Sequence, residues 1–303
     1  MDGMITVYKE KGYTSHDVVA KLRRILHQKK IGHTGTLDPD AVGVLPVCLG
    51  KGTKLCELLT DKDKTYIAVC KLGVVTDTQD MSGSILQQNK AEVTMKEVKE
   101  CITSFLGAYE QVPPMYSALK VNGRKLCDLA REGITVERKA RMVRIYEAEL
   151  LSFDEVEQTF SMKVHCSKGT YIRTLCHDIG IRLGCGAAMM ELTRTQVAQF
   201  LLEDALTLEQ VEELFENGKL NDYVVPVDAM FPAYKKVYVK EEACKRLYNG
   251  NLLYQQDLQE KNEKEQDADG EEMLVYDDKG RFIAIYKKEN REYKPVKMFY
   301  SGE

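Results

Sequence analysis

The sequence lacks the features by which several common classes of protein are recognised. None of its nine cysteines forms a Cys-x-x-Cys pair, and none is spaced as zinc ligands are. An odd number of scattered thiols is typical of a reducing compartment, so we expect a cytoplasmic protein with free cysteines. Residues 1–12 contain no apolar run, and neither a signal peptide nor a membrane span is predicted.

Charge is nearly balanced in total but unevenly distributed. The 303 residues carry 43 Lys and Arg against 47 Asp and Glu, and this net charge of −4 argues against a uniformly basic nucleic-acid binder. Basic clusters nevertheless occur at residues 21–30 and 120–144, and residues 257–272 are strongly acidic. The basic clusters favour a polyanionic ligand over a small neutral one, whereas a solvated surface is the plainer alternative.

Local patterns predict a chain in which helices and strands are mixed. Thr14, Thr94 and Thr207 each begin a capping-box pattern that precedes apolar residues at helical spacing. Residues 159–166 alternate polar and apolar side chains without a break, as a half-buried antiparallel strand does. These segments predict a scaffold of helices packed on a mostly antiparallel sheet.

Two prolines, Pro226 and Pro232, mark a linker near the end of the chain. We therefore expect one large domain at residues 1–232 and a small β-rich module at residues 233–303. Four strands are predicted within the module, at residues 236–239, 273–276, 282–286 and 296–300.

The stretch from Gly32 to Gly50 is the most informative part of the sequence. Its four glycines and two prolines indicate an irregular, fixed backbone around Asp38. The Asp38 carboxylate either closes an Asx turn by accepting backbone N–H groups, or acts as a nucleophile or acid–base group on a rigid loop. His33 in the same loop is either a hydrogen-bonded structural residue or a ring that stacks on a base.

Two aromatic residues and one arginine extend this set of candidates. Tyr66 stands at the start of a β-branched run, where it is either an ordinary strand aromatic or a ring that projects from the strand end. Tyr171 and Arg173 lie in the first turn of a helix that follows a Gly-containing turn. A cation is unfavourable at a helix N-terminus unless an anion is near, and that anion is either a phosphate or a carboxylate such as Asp38.

Four sequence motifs resemble those of the TruB family of bacterial tRNA pseudouridine synthases, and they occur in the family's order. They are Gly32–Pro39 with Gly43–Pro46 behind it, Lys64–Tyr66, Pro114–Lys120 and Cys166–Leu175. The resemblance extends from about Met4 to about Phe200. Several motifs in order, each in the type of element predicted for it, argue against a chance match.

This resemblance implies a fold and an activity. The implied fold is α+β, a mixed and mostly antiparallel sheet with flanking helices and a central catalytic cleft, followed by a small PUA-like module. The implied activity is isomerisation of the uridine numbered 55 in the T-loop of tRNA, from an N-glycoside to a C-glycoside, after base flipping. No metal or cofactor is required, the partner is the T-arm of tRNA, and we expect a monomer that needs neither a protein partner nor a membrane.

The resemblance also implies roles for individual residues. Asp38 would be the nucleophile, attacking either the ribose C1′ or the uracil ring, and Arg173 would keep its carboxylate charged and aimed. Tyr66 would stack on the extruded base and assist proton transfer. Substrate-binding roles are also implied for Tyr171 and Leu192, which with Tyr66 would line the base pocket, and for His33, which would fill the gap that the extruded base leaves in the RNA loop.

Two other functions remain open at the level of sequence. A tRNA-folding chaperone could use the same cleft without turnover, but it gives no reason for a carboxylate in a loop that faces RNA. A small-molecule enzyme that handles phosphate would rest on the helix start after Gly169 alone, because the chain contains neither a P-loop nor a Gly-x-Gly-x-x-Gly sequence.

Overall fold

The computed structural model describes residues 1–259, 268–300 and 302, and the acidic stretch at 257–272 therefore lies partly outside the described residues. The helices are α1 (Ser15–Ile25), α2 (Cys56–Thr60), α3 (Met95–Thr103), α4 (Leu126–Arg131), α5 (Ile172–Arg182), α6 (Leu208–Glu216) and α7 (Cys244–Tyr248). The strands are β1 (Gly3–Lys9), β2 (Ile31–His33), β3 (Val42–Leu49), β4 (Lys64–Leu72), β5 (Val74–Thr76), β6 (Ile85–Gln88), β7 (Gly107–Gln111), β8 (Lys120–Val121), β9 (Arg124–Lys125), β10 (Arg141–Asp154), β11 (Thr159–Cys166), β12 (Ala187–Val197), β13 (Phe200–Leu201), β14 (Lys235–Tyr238), β15 (Leu253–Tyr254), β16 (Glu272–Tyr276), β17 (Phe282–Glu289) and β18 (Glu292–Met298).

A nine-stranded sheet forms the centre of the molecule, in the order β1-β3-β12-β4-β11-β10-β7, with β2 paired to β3 and β13 paired to β12. Every neighbouring pair in it is antiparallel except β12 and β3, which run parallel through Thr193 opposite Val42. The prediction of an α+β fold with a mixed, mostly antiparallel sheet is confirmed.

Local sequence determines where the principal helices begin. The side chain of each of the threonines at 14, 94 and 207 accepts a hydrogen bond from the backbone N–H three residues later. The side chain of that later residue accepts a hydrogen bond from the backbone N–H of the threonine. These reciprocal bonds satisfy N–H groups that a helix start leaves without partners. The three predicted capping boxes are therefore confirmed, as is the predicted strand at 159–166, which is β11.

Alternate residues of β3 face two different layers of the structure. Leu45 and Val47 pack with helices α1 and α6, whereas Val44 and Cys48 pack with the C-terminal sheet. On the other half of the central sheet, helices α3 and α5 cover β4 and β11. Because α5 packs on the strand that carries Tyr66, the start of this helix is held near one end of β4.

The C-terminal residues form a second sheet of five strands, in the order β14-β16-β17-β18-β15. The four predicted strands correspond to β14, β16, β17 and β18, although β18 spans 292–298 rather than 296–300. The sequence did not predict β15 or α7, since each covers only a few residues. Lys54, in the segment between β3 and α2, donates to the carbonyl of Met298 at the end of β18 at 2.6 Å.

No helix in the part of the chain that the structure describes combines the length and the apolar character needed to cross a membrane.

Candidate active site

A cavity of about 320 Å³ opens between the loop that follows β2 and the start of α5. Its wall is built from residues 35–38, from Lys64 and Tyr66 on β4, from residues 117–118, from the segment around 167–173, and from Leu192 and Arg194 on β12. Five residues singled out from the sequence lie in this wall, and they are Asp38, Tyr66, Tyr171, Arg173 and Leu192. Segments far apart in the chain thus meet at one concave surface.

Asp38 and Arg173 form a two-point ion pair inside this cavity. Arg173 Nε lies 2.9 Å from Asp38 Oδ2, and Nη2 donates to Asp38 Oδ1 at 3.3 Å. The guanidinium is only 6% exposed, and its other donors reach the carbonyls of Thr78 and Tyr116 at 3.0 and 2.8 Å. A second carboxylate, Asp80, lies 3.4 Å from Nη1. With its donors all directed, Arg173 holds the Asp38 carboxylate in one orientation.

The residues around Asp38 have opposite effects on the pKa of its carboxyl group. Burial raises the pKa of Asp38 above its ordinary value, and the charge of Asp80 acts in the same direction, whereas Arg173 and Lys9 lower it. The Asp38 side chain still keeps 39% of its surface accessible, because the cavity is open to solvent. The carboxylate is therefore more basic than an ordinary aspartate and remains reachable by a ligand.

The main chain, and not the carboxylate, closes the turn at Asp38. Ala41 N donates to the Asp38 carbonyl oxygen at 3.1 Å. No backbone N–H bonds the Asp38 carboxylate among the residues that the structure describes, so the Asx-turn alternative is not supported. The carboxylate instead points towards Arg173.

Residues of the first strand and helix hold the loop that carries Asp38. Leu37 N donates to Ser15 Oγ at 2.9 Å, and Lys9 Nζ donates to the Pro39 carbonyl at 3.0 Å. Lys9 is completely buried, and burial lowers its pKa to about 8. The residues on either side of Asp38 are thus each fixed by a contact from outside the loop.

Arg194 ties the two ends of the same loop together. Its Nε donates to the Val44 carbonyl at 2.7 Å and its Nη2 donates to the Gly35 carbonyl at 3.3 Å. Gly43 has a φ of +106°, and a Cβ at this position would lie 2.2 Å from the Arg194 carbonyl oxygen, so glycine is required there. Gly35 has no positive φ, so the backbone conformation does not require glycine there. The contact that holds the loop at Gly35 is the hydrogen bond from Arg194.

The register of β4 against β12 brings a second group of side chains to the cavity. Tyr66 lies opposite Arg194 and Ala68 lies opposite Leu192, while Lys64 shares the cavity face of β4 because it is two residues from Tyr66. Burial raises the pKa of Tyr66, and Arg194 opposes that shift. Burial lowers the pKa of Lys64 to about 8. The cavity therefore combines an apolar surface with buried cations.

His33 stands apart from the other candidates. It ends β2, is half-buried, and its Nδ1 accepts a hydrogen bond from Gly35 N at 3.3 Å. Burial lowers the pKa of this imidazole, which favours its neutral form. The ring is not part of the cavity wall, and its substrate-binding role stays a prediction.

Sequence reasoning missed several residues of this site. The chain position of Lys64 could have revealed it, since period-two alternation places it on the same face as Tyr66. Ser117 lies within the Pro114–Lys120 motif but was not singled out. Asp80, Arg194 and Gln111 carried no local signal, because each reaches the site through contacts between distant segments. The N–H of Tyr171, at the start of α5, donates to Gln111 Oε1 at 2.7 Å.

No group of three or more His, Cys, Asp or Glu side chains suited to a metal ion occurs within residues 1–259, 268–300 and 302. The site as described consists of a paired carboxylate, buried cations, the phenol rings of two tyrosines and an apolar wall. Such a set can carry out nucleophilic and acid–base chemistry on a flat polar ligand.

Comparisons with known proteins agree on one family. Residues 23–172 match the N-terminal domain of the TruB family pseudouridylate synthases, and residues 173–232 match the C-terminal domain of tRNA pseudouridylate synthase B. The chain is 51% identical over 307 residues to tRNA pseudouridine synthase B of Lachnoclostridium phytofermentans, with 99% of this chain and 100% of that protein covered. It is 43% identical over 305 residues to tRNA pseudouridine synthase B of Clostridium perfringens strain SM101, with 98% and 99% covered.

Solved structures show the same architecture. A chain from a Cbf5-Nop10-Gar1 complex has a TM-score of 0.71 at 27% identity, with 98% of this chain and 85% of that chain covered. A chain from an H/ACA RNP bound to a substrate RNA containing 2′-deoxyuridine also has a TM-score of 0.71, at 25% identity, with 99% and 85% covered.

Proposed function

The chain belongs to the TruB family of pseudouridine synthases, and we propose that it is a tRNA pseudouridine synthase that converts the T-loop uridine numbered 55 to pseudouridine. The observation that carries this proposal is the Asp38–Arg173 ion pair in a cavity that Tyr66, Tyr171 and Leu192 also line. The relatives' names, which are those of tRNA-modifying enzymes, support the same conclusion. The reaction is an isomerisation and needs neither an oxidant nor an external energy source.

In this reaction the bond between ribose C1′ and uracil N1 breaks, the uracil turns, and a bond between C1′ and uracil C5 forms. The proton leaves C5 and N1 gains one, so the atoms of substrate and product balance. Asp38 supplies the nucleophile and attacks either C1′ or the uracil ring, and the bond that it forms to the substrate breaks before the product leaves, which regenerates the carboxylate. Arg173 favours the ionised carboxylate, since a guanidinium bonded at two points stabilises the charged form of its partner.

The cavity is near the lower end of the volumes of ligand pockets, which suits one nucleotide that has left the RNA stack. Tyr66 stacks on the base and assists proton transfer, and its position in the cavity wall supports these roles. Leu192 and Tyr171 complete the wall around the base. His33 acts from outside the wall, on the nucleotides next to the extruded one, where its neutral ring can stack.

The two parts of the chain, each built around its own sheet, have different functions in this proposal. Residues 1–232 constitute the catalytic domain, and residues 233–303 form a PUA-like module that contacts RNA away from the cavity. The protein acts as a monomer in the cytoplasm on the T-arm of tRNA and requires no protein partner. These statements extend the family relationship to this chain, and a binding assay with truncated tRNA would test them.

A chaperone without turnover is not favoured. The relatives are named as synthases, and an ionised carboxylate in an RNA-facing cavity repels phosphate without serving binding. Its presence is explained if it reacts with the substrate.

Replacing Asp38 by asparagine tests the proposal. Asp38→Asn keeps the shape of the side chain, so we expect loss of tritium release from tRNA labelled at uridine C5, with tRNA affinity retained within roughly threefold. Asp40→Asn is the matched control, because this exposed aspartate lies two residues away and outside the cavity wall. Turnover by Asp38→Asn comparable with that of the control would exclude Asp38 as the nucleophile.

A further inference from the structure

Gln111 is a polar side chain that is almost completely buried. It is the last residue of β7, at the edge of the central sheet, and only 1% of its surface is exposed. A buried amide is costly unless its donor and acceptor both find partners. The partners of Gln111 therefore indicate what the residue is for.

Both partners belong to one residue at the start of α5. Tyr171 N donates to Gln111 Oε1 at 2.7 Å, and Gln111 Nε2 donates to the Tyr171 carbonyl at 3.0 Å. The Gln111 amide also lies 3.4 Å from the hydroxyl of Tyr109, which in turn donates to Asp178 on α5. One side chain thus joins the end of β7 to the peptide groups on both sides of Tyr171.

Tyr171, whose backbone Gln111 holds, is itself part of the cavity wall. Tyr171 is the N-cap of α5, and its side chain makes no capping bond, so the helix start depends on contacts from elsewhere. Its ring lines the cavity, and Arg173, two residues further on, holds Asp38. The chain beyond Gln111 leads to Tyr116, whose carbonyl accepts from Arg173 at 2.8 Å.

We propose that Gln111 is a positioning residue for the pseudouridine synthase reaction, fixing the start of α5 so that Tyr171 and Arg173 face the nucleotide correctly. This inference rests on the proposed function. Gln111 is not in the cavity wall and touches no reacting atom, so it acts through the backbone of Tyr171. Its loss would leave the nucleophile present but loosely aimed.

The chain contains a matched control in Gln158. Val93 N donates to Gln158 Oε1 at 3.1 Å, and Gln158 Nε2 donates to the Val93 carbonyl at 3.2 Å, which is the same two-point grip on one residue. Gln158 also makes a third bond, to the Glu155 carbonyl at 2.9 Å. It lies in the turn between β10 and β11, and neither it nor Val93 is part of the cavity wall.

The experiment compares Gln111→Met with Gln158→Met in the full chain. Both changes remove a pair of hydrogen bonds to the backbone of one residue, so we expect both to lower the midpoint of urea unfolding. We expect kcat of Gln111→Met to fall roughly tenfold or more, because a misplacement of about 1 Å can cost about a hundredfold in rate. The tRNA dissociation constant should stay within roughly threefold, and kcat of Gln158→Met within about twofold.

A second variant, Gln111→Glu, provides a readout that lost stability would not produce. A protonated carboxyl can accept from Tyr171 N and donate to its carbonyl as the amide does, whereas an ionised one presents an acceptor to that carbonyl. We expect kcat of Gln111→Glu relative to wild type to fall as pH rises. Faster amide hydrogen exchange at the start of α5 should accompany the loss in both Gln111 variants.

Equal kcat in Gln111→Met and wild type would overturn the inference, as would an equal loss in Gln158→Met. If Gln111→Met does not fold, a pH-independent kcat ratio for Gln111→Glu would overturn it instead. Tritium release by the wild-type protein in the same assay tests the proposed function separately. Protection of the α5 amides from hydrogen exchange measures how well Gln111 holds the start of the helix, and it does so independently of the reaction.

Discussion

Replacing Arg173 by methionine would leave two carboxylates without their shared cation. The guanidinium is 6% exposed, and the side chains of Asp38 and Asp80 are 39% and 18% exposed. Breaking a buried ion pair by removing one partner costs about 3–5 kcal/mol. The lower end of that range applies, because water reaches part of the Asp38 carboxylate. We therefore expect Arg173→Met to lose about 3 kcal/mol of unfolding free energy, a large share of an ordinary domain's stability.

Equilibrium unfolding in urea measures this loss. Arg182→Met is the control, because Arg182 lies on the same helix but is exposed, stacks on Phe105 and bonds Ser104. We expect that change to cost about 1 kcal/mol at most. A loss for Arg173→Met no larger than for Arg182→Met would refute the view that Arg173 is the central cation of the site.

The same variant alters the protonation of Asp38. Burial raises the pKa of this carboxyl and Arg173 lowers it, so removing the guanidinium raises the pKa further. The ionised nucleophile would then appear only at higher pH, and the acidic limb of the kcat profile should move upward. In an Asp38→Asn background, Arg173→Met should cost less stability, because one stranded charge is gone. Additive losses in the double variant would show that the two side chains are not coupled.

Two further predictions concern buried polar groups near the loop. Burial lowers the pKa of Lys9 from 10.5 to about 8, so the unfolded chain binds more protons than the folded one between these values, and stability should rise with pH across that window. Lys9→Met should abolish this rise in urea unfolding; identical slopes for the two proteins would contradict the assignment. Ser117 Oγ is buried in the cavity wall beside Tyr171 and makes no well-aligned hydrogen bond within the described residues. Ser117→Ala should therefore leave the unfolding free energy within about 0.5 kcal/mol but lower kcat/KM on tRNA, and an unchanged kcat/KM would exclude a contact with substrate.

Local chemistry explains which parts of the fold the sequence predicted. Capping boxes and strict alternation depend on neighbours within a few residues, and for this reason the starts of α1, α3 and α6 and the whole of β11 were predicted correctly. Two long strands were missed. Strand β10 was missed because its arginines suggested only a basic surface. Strand β12 was missed because it is a central strand, lacks regular alternation of polar and apolar residues and is interrupted by bulges.

The sequence predicted the residues of the candidate site where a local pattern or a family motif marked them. Local sequence singled out Asp38, Tyr66, Tyr171 and Arg173 as candidates, the family resemblance added Leu192 and assigned the roles, and the structure brings these residues together at one cavity. Their roles remain predictions that the variants above test. Arg194 could not be found in this way, because arginine is seldom fully buried and its burial here follows from the pairing of β12 with both β3 and β4.

The position and the charge state of Asp38 depend on the same distant residues. Gly43 allows the backbone conformation that the loop requires. The position of the loop is set by long side chains from other elements, because Lys9 bonds the Pro39 carbonyl and Arg173 pairs with Asp38 itself. Both of these cations also lower the pKa of Asp38 against the effect of burial. A change at either position must therefore disturb aim and ionisation together. Only a measurement of kcat against pH, combined with one of stability, can separate the two effects.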